Sequence, residues 1–351
     1  MTTALDPQLK QRGRASVDFF AHLFRGTEGL RNQITERLDV IAPDPQRLPE
    51  DLDRRDEELT SLLRKSAAFR VQELIGEWHS SYHGRIAAEA FEESQWEIEP
   101  VLRKLDEGPT TLELDPGFEA PYYWEGVNFH RTEGGWSEHP FQGFIHGEII
   151  HRKMVEALFP GGIFIQRRNV AAMAPQNSYG RILDMGCSTA HFTLALAETY
   201  PDAEIYGVEM SVPVLEHARR VGNAHGYAWK LYQCAAEATN FDDNMFDLAS
   251  SYILLHELPA DAIRNVFAEA FRVLKPGGDL LMSDVTRYSD LDKISEWKAD
   301  RGAKYGGEPH WRASASLDLS QVAFEAGFEN VCAEGKGPKN YPYVVTGRKP
   351  S

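Results

Sequence analysis

Cysteine is scarce: Cys187, Cys234 and Cys332 are the only three in 351 residues. An odd number at wide spacing excludes a disulfide framework and a Cys-x-x-Cys metal site. Reduced thiols in a cytoplasm are the expectation. No apolar run approaches the roughly 18 residues that a membrane span needs. The opening stretch MTTALDPQLKQRGRASVDFF has no apolar core of a secretory signal. Positive charge is in deficit, with 37 Lys and Arg against 53 Asp and Glu, a net charge of −16. An acidic chain without a basic cluster repels phosphate backbones, which argues against nucleic acid or an anionic membrane as a partner. Internal repeats and low-complexity tracts are absent as well. A soluble cytoplasmic protein acting on a small molecule is the expectation.

What is present falls into three textures, enough for two or three domains. Residues 1–110 read as a helical domain, a lid and homodimer contact: Leu30, Ile34, Leu38 and Ile41 recur at helical spacing, as do Leu59, Leu62 and Leu63. APDPQRLPED (42–51) is a connector, and Pro100 is expected to break or re-cap the last helix. Residues 111–180 read as a cap and linker: turn-rich at first, then dense in aromatics and histidines (YYWEGVNFHRTEGGWSEHPFQGFIHGEIIHRKM). Rigid apolar walls with a few polar handles suit a small-molecule pocket, although a domain interface would share that composition.

Residues 181–351 alternate strands and helices, which argues a parallel, doubly wound α/β sheet with right-handed crossovers. ILDM, AEIYGVEM, KLYQCA, FDLASSYILL and DLLMSDV read as strands. ADAIRNVFAEAFRVL is an amphipathic helix that Pro276, Gly277 and Gly278 should stop, and residues 286–316 read as an insertion over the sheet edge. ENVCAEGKG and YPYVVTGRK form a terminal hairpin joined by GPKN.

The first strand runs through RILDMGCSTAHF (181–192) into a turn and a helix, where open α/β sheets bind ligands. A dinucleotide loop wants three spaced glycines. Here Gly186 stands with Ser188 and Ala190, so a ligand without a diphosphate fits better than a nicotinamide dinucleotide. Its carboxylate can meet the helix N-terminus, and Glu209 closes the second strand where an acid hydrogen-bonds ribose hydroxyls.

Together, ILDMGCSTAHFTLALA, VEMS, RVLKPGGDLLMSD, EAGFENV and the hairpin resemble a class I S-adenosylmethionine-dependent methyltransferase over roughly residues 180–349. The resemblance implies a Rossmann-like seven-stranded sheet with an antiparallel last strand, and S-adenosylmethionine as co-substrate. It assigns Asp184, Gly186, Cys187 and Ser188 to the donor loop, Glu209 to the ribose and Met210 to the adenine. The acid that usually follows the third strand is missing or displaced to Glu237, after Ala236. WSEHPFQG (136–143) resembles a segment that closes over the donor in some small-molecule C-methyltransferases.

Methyl transfer from a sulfonium is an in-line displacement, in which positioning in a dry site does most of the work. A hydroxyl or carbon acceptor needs a base. His256 and Glu257, at the exit of the fourth strand, are the first candidates, with Tyr252 lining the methyl path and His310 in the insertion above. The expected reaction is O- or C-methylation of a small acid or phenol. Alternatives are base-free S-methylation of a thioether acid, metal-assisted C-methylation of a 2-oxo acid through His256 and His310, or a non-catalytic binding module. No metal is expected, either there or at His139, His146 and His151.

Overall fold

The computed structural model describes residues 5–156 and 162–351. Its centre is one sheet of eight strands: β1 (Thr111–Glu113), β2 (Arg181–Met185), β3 (Glu204–Glu209), β4 (Lys230–Gln233), β5 (Phe246–Tyr252), β6 (Leu274–Asp284), β7 (Glu329–Gly335) and β8 (Tyr343–Arg348). The order is β1-β4-β3-β2-β5-β6-β8-β7. Neighbours run parallel except at β8, which is antiparallel to both β6 and β7. β2 through β8 therefore reproduce the expected seven strands, with the reversal made by the terminal hairpin.

The eighth strand comes from the stretch that the sequence assigns to turns. Thr111–Glu113 lies beside Lys230–Tyr232 on the outer edge of β4. Side chains pin it there: Asn223 Oδ1 accepts from the Thr110 amide at 2.9 Å, and the Thr110 hydroxyl donates to the Tyr227 carbonyl at 2.6 Å. Three residues are too few to show an alternating pattern, so tertiary anchoring decides this element.

β2 pairs with β3 on one side and β5 on the other. The chain winds outward from β2 and then returns to its far side, and that reversal opens a crevice at the carboxyl ends of β2 and β5. The apolar runs in both strands fit their position, since their inward residues Ile182, Leu183, Leu248 and Ala249 are fully buried.

Four helices precede the sheet: α1 (Gln11–Gly26), α2 (Glu28–Ile41), α3 (Leu52–Leu63) and α4 (Ala67–Lys104). Pro100 does not break α4, which runs on to Lys104. A proline frees the carbonyl four residues earlier. That residue is Trp96, which is exposed and leaves the freed group close to water. Ala87, Ala90, Phe91, Ile98 and Leu102 of α4 share one core with Phe141, Phe144 and the sheet's Ile182.

The insertion docks on the other side of these helices. Trp297, in the helix Lys293–Gly306, packs with Leu59, Leu63 and Phe69, and its indole N–H donates to Asp56 at 2.8 Å. Buried Arg55 meets Glu296 at 2.5 Å. The amphipathic helix Ala260–Val273 ends before Pro276, because Leu274 already begins β6. Among the described residues no helix is long and apolar enough to cross a membrane.

Candidate active site

The turn after β2 is left-handed at three alternate positions, Gly186 (φ +72), Ser188 (φ +48) and Ala190 (φ +60). Only glycine takes this region freely, so the loop keeps a three-glycine path with two substituted residues. Gly186 is also crowded: a Cβ there would sit 2.8 Å from Leu254 Cδ1, so that leucine would have to shift. The helix His191–Thr199 follows directly.

Gly186, Cys187 and Ser188 line a cavity at the sheet's carboxyl edge, together with Glu209, Met210, Ala236 and Glu237. Glu209 Oε1 accepts from the amides of Met210 and Ser211 at 2.8 and 3.0 Å, which fixes the carboxylate at the strand end. Burial pushes its pKa up. Glu237 accepts from the Tyr123 hydroxyl of the cap, while its Oε2 is buried without a partner. Asp184 is placed otherwise. It lies behind the loop, outside the lining, and accepts from the Thr193 hydroxyl at 2.6 Å. Burial, with the nearby Glu209 charge adding, pushes its pKa up to about 7.

The cap closes the rest of the cavity. The Ser211 hydroxyl donates to the Trp136 carbonyl at 2.6 Å, fastening the 136–143 segment over the β3 exit. His146 and His151 come from an uncommon π-helical segment, Ile145–Val155; such geometry concentrates at functional sites. Their ring centroids lie 4.1 Å apart. Burial drives both pKa values well below the ordinary histidine range, so both are neutral, and His151 Nδ1 is buried without a partner. His139 lies outside the lining, where its Nδ1 faces the Phe141 amide at 3.1 Å.

Arg167, in the helix Ile163–Ala171, enters the same cavity at 5% exposure. Its guanidinium sits 5.0 Å from the Tyr252 ring centroid and 5.3 Å from that of Phe164. It forms no ion pair with a carboxylate among the described residues. Tyr252 stacks on Phe192 at 5.0 Å and donates to Gln166 at 2.8 Å, so its ring is a fixed wall.

His256 and Glu257 also line the cavity. His256 Nδ1 lies 3.3 Å from Asp284, and Nε2 lies 3.3 Å from Glu257. Burial works against a charge on His256, but the two carboxylates outweigh it and push its pKa well above the ordinary histidine value. Both ring nitrogens therefore face carboxylates. Glu257 is held low in turn, as His130 and His256 outweigh its burial. His130 lies between Glu257, at 2.8 Å, and Glu308.

His310 stands apart. It lies outside the lining, edge-on to Tyr123 at 6.2 Å, and the histidine beside His256 is His130 instead. Sequence reasoning missed His130, Glu308 and Arg167. They come from three distant segments with no motif, and the only local hint is aromatic and histidine density near His130.

With this geometry in view, comparison with known proteins is informative. Residues 182–278 match the family described as methyltransferase domain. That match, on a sheet of this strand order, supports a class I S-adenosylmethionine-dependent methyltransferase domain in this part of the chain. A ubiquinone/menaquinone biosynthesis C-methyltransferase of Desulfotalea psychrophila is 33% identical over 120 residues, 34% of this chain and 47% of that protein. A malonyl-[acyl-carrier protein] O-methyltransferase of Legionella pneumophila is 28% identical over 141 residues, 40% and 46% of the two chains. A solved phosphoethanolamine N-methyltransferase 2 of Haemonchus contortus, bound to S-adenosylmethionine, aligns with a TM-score of 0.43 at 18% identity over 55% of this chain and 54% of that one. The chain spans about half the length of the curated relatives it matches.

Proposed function

We propose that the protein transfers the methyl group of S-adenosylmethionine to an oxygen or carbon of a small acceptor that bears a carboxylate. The observation that carries the acceptor class is Arg167, a buried guanidinium in the donor cavity that forms no ion pair with a carboxylate among the described residues. Burying a cation is costly unless it is paired, and an acceptor carboxylate supplies the pair when it binds.

The donor takes the β2 side of the cavity. Glu209 reads the ribose, and Met210, Ala236 and the open oxygen of Glu237 meet the adenine. The methionine carboxylate meets the amides of the loop at Gly186–Ser188. Tyr252 and Phe192 form an apolar wall that keeps water from the methyl path. A proton on the nucleophile passes to His151, whose neutral ring carries the unpartnered nitrogen. A base of this kind contributes typically 10²- to 10⁴-fold. Relatives named for C- and for O-methylation agree with a nucleophile of either element.

The test begins with calorimetric titration of the purified protein with S-adenosylmethionine and, separately, with NAD. Micromolar binding of the first and none of the second is expected. Release of S-adenosylhomocysteine is then followed across matched acceptors, each as free acid and as methyl ester. Turnover of acids and silence of esters supports the reading. Equal turnover of both removes Arg167 from acceptor recognition, and failure to bind the donor removes the reaction.

A further inference from the structure

The four-residue cluster at the roof of the cavity does something that methyl transfer does not require. We propose that His130, His256, Glu257 and Glu308 form a binding site for one divalent first-row transition-metal cation of the zinc, manganese, iron(II) or cobalt class. One ligand atom from each residue lies within 4.8 Å of every other. A shell with metal–ligand bonds of about 2.1 Å spans roughly 3 to 4 Å between ligands, so a small inward movement of the side chains closes it. Two imidazoles with two carboxylates suit this class of cation better than magnesium or calcium, which prefer all-oxygen shells.

Three further observations point the same way. Oε2 of Glu257 and Oε2 of Glu308 are both buried without a hydrogen-bond partner, and the Glu308 side chain is only 10% exposed. Buried carboxylate oxygens are ordinarily satisfied, and a cation would satisfy them. His256 carries the support that metal-bound histidines usually have: its Nδ1 lies 3.3 Å from buried Asp284, which orients the ring and leaves Nε2 for the metal. His130 reaches the cluster from a strained backbone, with φ of +54 there and +55 at Arg131. Such strain gathers where the surrounding structure dictates a side chain's position.

The cluster joins three separate parts of the chain: His130 from the cap, His256 and Glu257 from the β5 exit, and Glu308 from the insertion. His130, His256 and Glu257 face the cavity, so a bound cation has an open side toward the acceptor. An acceptor oxygen would complete its shell. That last role rests on the proposed methyl transfer, whereas the metal site does not.

The experiment uses full-length, chelator-treated protein, titrated with Zn²⁺ by calorimetry and with Co²⁺ by visible absorption. One equivalent bound at micromolar affinity, with cobalt bands typical of mixed nitrogen and oxygen ligands, is expected. Glu308→Gln and His130→Asn should each weaken binding at least ~100-fold; asparagine tolerates the left-handed backbone at position 130. His310→Ala, at a neighbouring histidine outside the cluster, should leave affinity within about twofold. Circular dichroism and donor titration confirm that each variant is folded. No uptake of either metal, uptake unchanged by both cluster variants, or loss of uptake in His310→Ala would each overturn the site. Because donor binding and metal binding are read separately, failure of one is distinguishable from failure of the other.

Discussion

The two ends of the cavity are built on different principles. The proposed donor end is made by consecutive residues at strand ends: Gly186–Ser188 after β2, Glu209–Met210 after β3 and Ala236–Glu237 after β4. Backbone geometry places them, and the sheet order guarantees that they meet. The proposed acceptor end is assembled from side chains of the cap, the Arg167 helix, the β5 exit and the insertion. No backbone element spans it. The lesson is that a ligand common to a fold is held by its strand ends, while the ligand particular to one protein is held by what packs over them.

The sharpest way to break this comparison is at Gly186. Gly186→Ala imposes a side chain on a left-handed backbone and drives it into Leu254. S-adenosylmethionine affinity should fall at least ~100-fold by calorimetry, with the protein still folded by circular dichroism. Unchanged affinity would mean that the loop does not shape the donor site.

The acceptor end is addressed by Arg167→Met. Loss of one partner of a buried charge pair costs about 2–5 kcal/mol, so kcat/KM for a carboxylate acceptor should drop on the order of 100-fold. Donor affinity should stay within about twofold. If both fall together, the two ends are not separable.

Asp184 gives a pH test of the region behind the donor loop. Its folded pKa of about 7 lies above its ordinary value. The folded state therefore holds the proton more tightly, and this group's contribution to stability declines as pH rises from about 4 to 7. Asp184→Asn should come closest to the wild type in acid, below its ordinary pKa, and exceed it by about 4 kcal/mol at pH 8 in the donor-free protein. Denaturant melts across that range measure the gap, and a constant difference would show that the carboxyl is not buried uncharged.

A smaller effect is expected at Glu209→Gln. The glutamine oxygen can still accept from the Met210 and Ser211 amides, so only the charge toward the ribose is lost. Donor affinity should weaken about 10-fold. The smallest effect belongs to His310→Ala. That side chain lies outside the cavity, and turnover should remain within about twofold in a co-product assay; a large loss would bring the insertion into the chemistry.

Much of the donor end could be read from the residues in order, because a strand, a tight turn and a helix N-terminus leave local signatures. Gly186, Glu209 and Glu237 occupy the expected wall, while Asp184 shows that proximity in sequence does not place a side chain in a cavity. His256 and Glu257 were visible as residues at the β5 exit. Their electrostatic surroundings were not, since Asp284 beside His256 and His130 beside Glu257 come from distant parts of the chain. His146 and His151 were apparent as part of a histidine-rich run, but only burial made them neutral and separated them from His139.

The amino-acid sequence by itself determined the alternation of strands and helices, the reversal at the terminal hairpin, the small-residue loop and the acid that follows it. Each is a matter of short-range periodicity and backbone freedom, which neighbouring residues encode. Only the tertiary structure decided that residues 111–113 add an eighth strand, that α4 runs through Pro100, and that Arg167 is buried without an ion pair among the described residues. It alone decided that His130 and Glu308 join His256 and Glu257. Burial, charge pairing and edge anchoring depend on residues far apart in the chain, and no local pattern records which of them will meet.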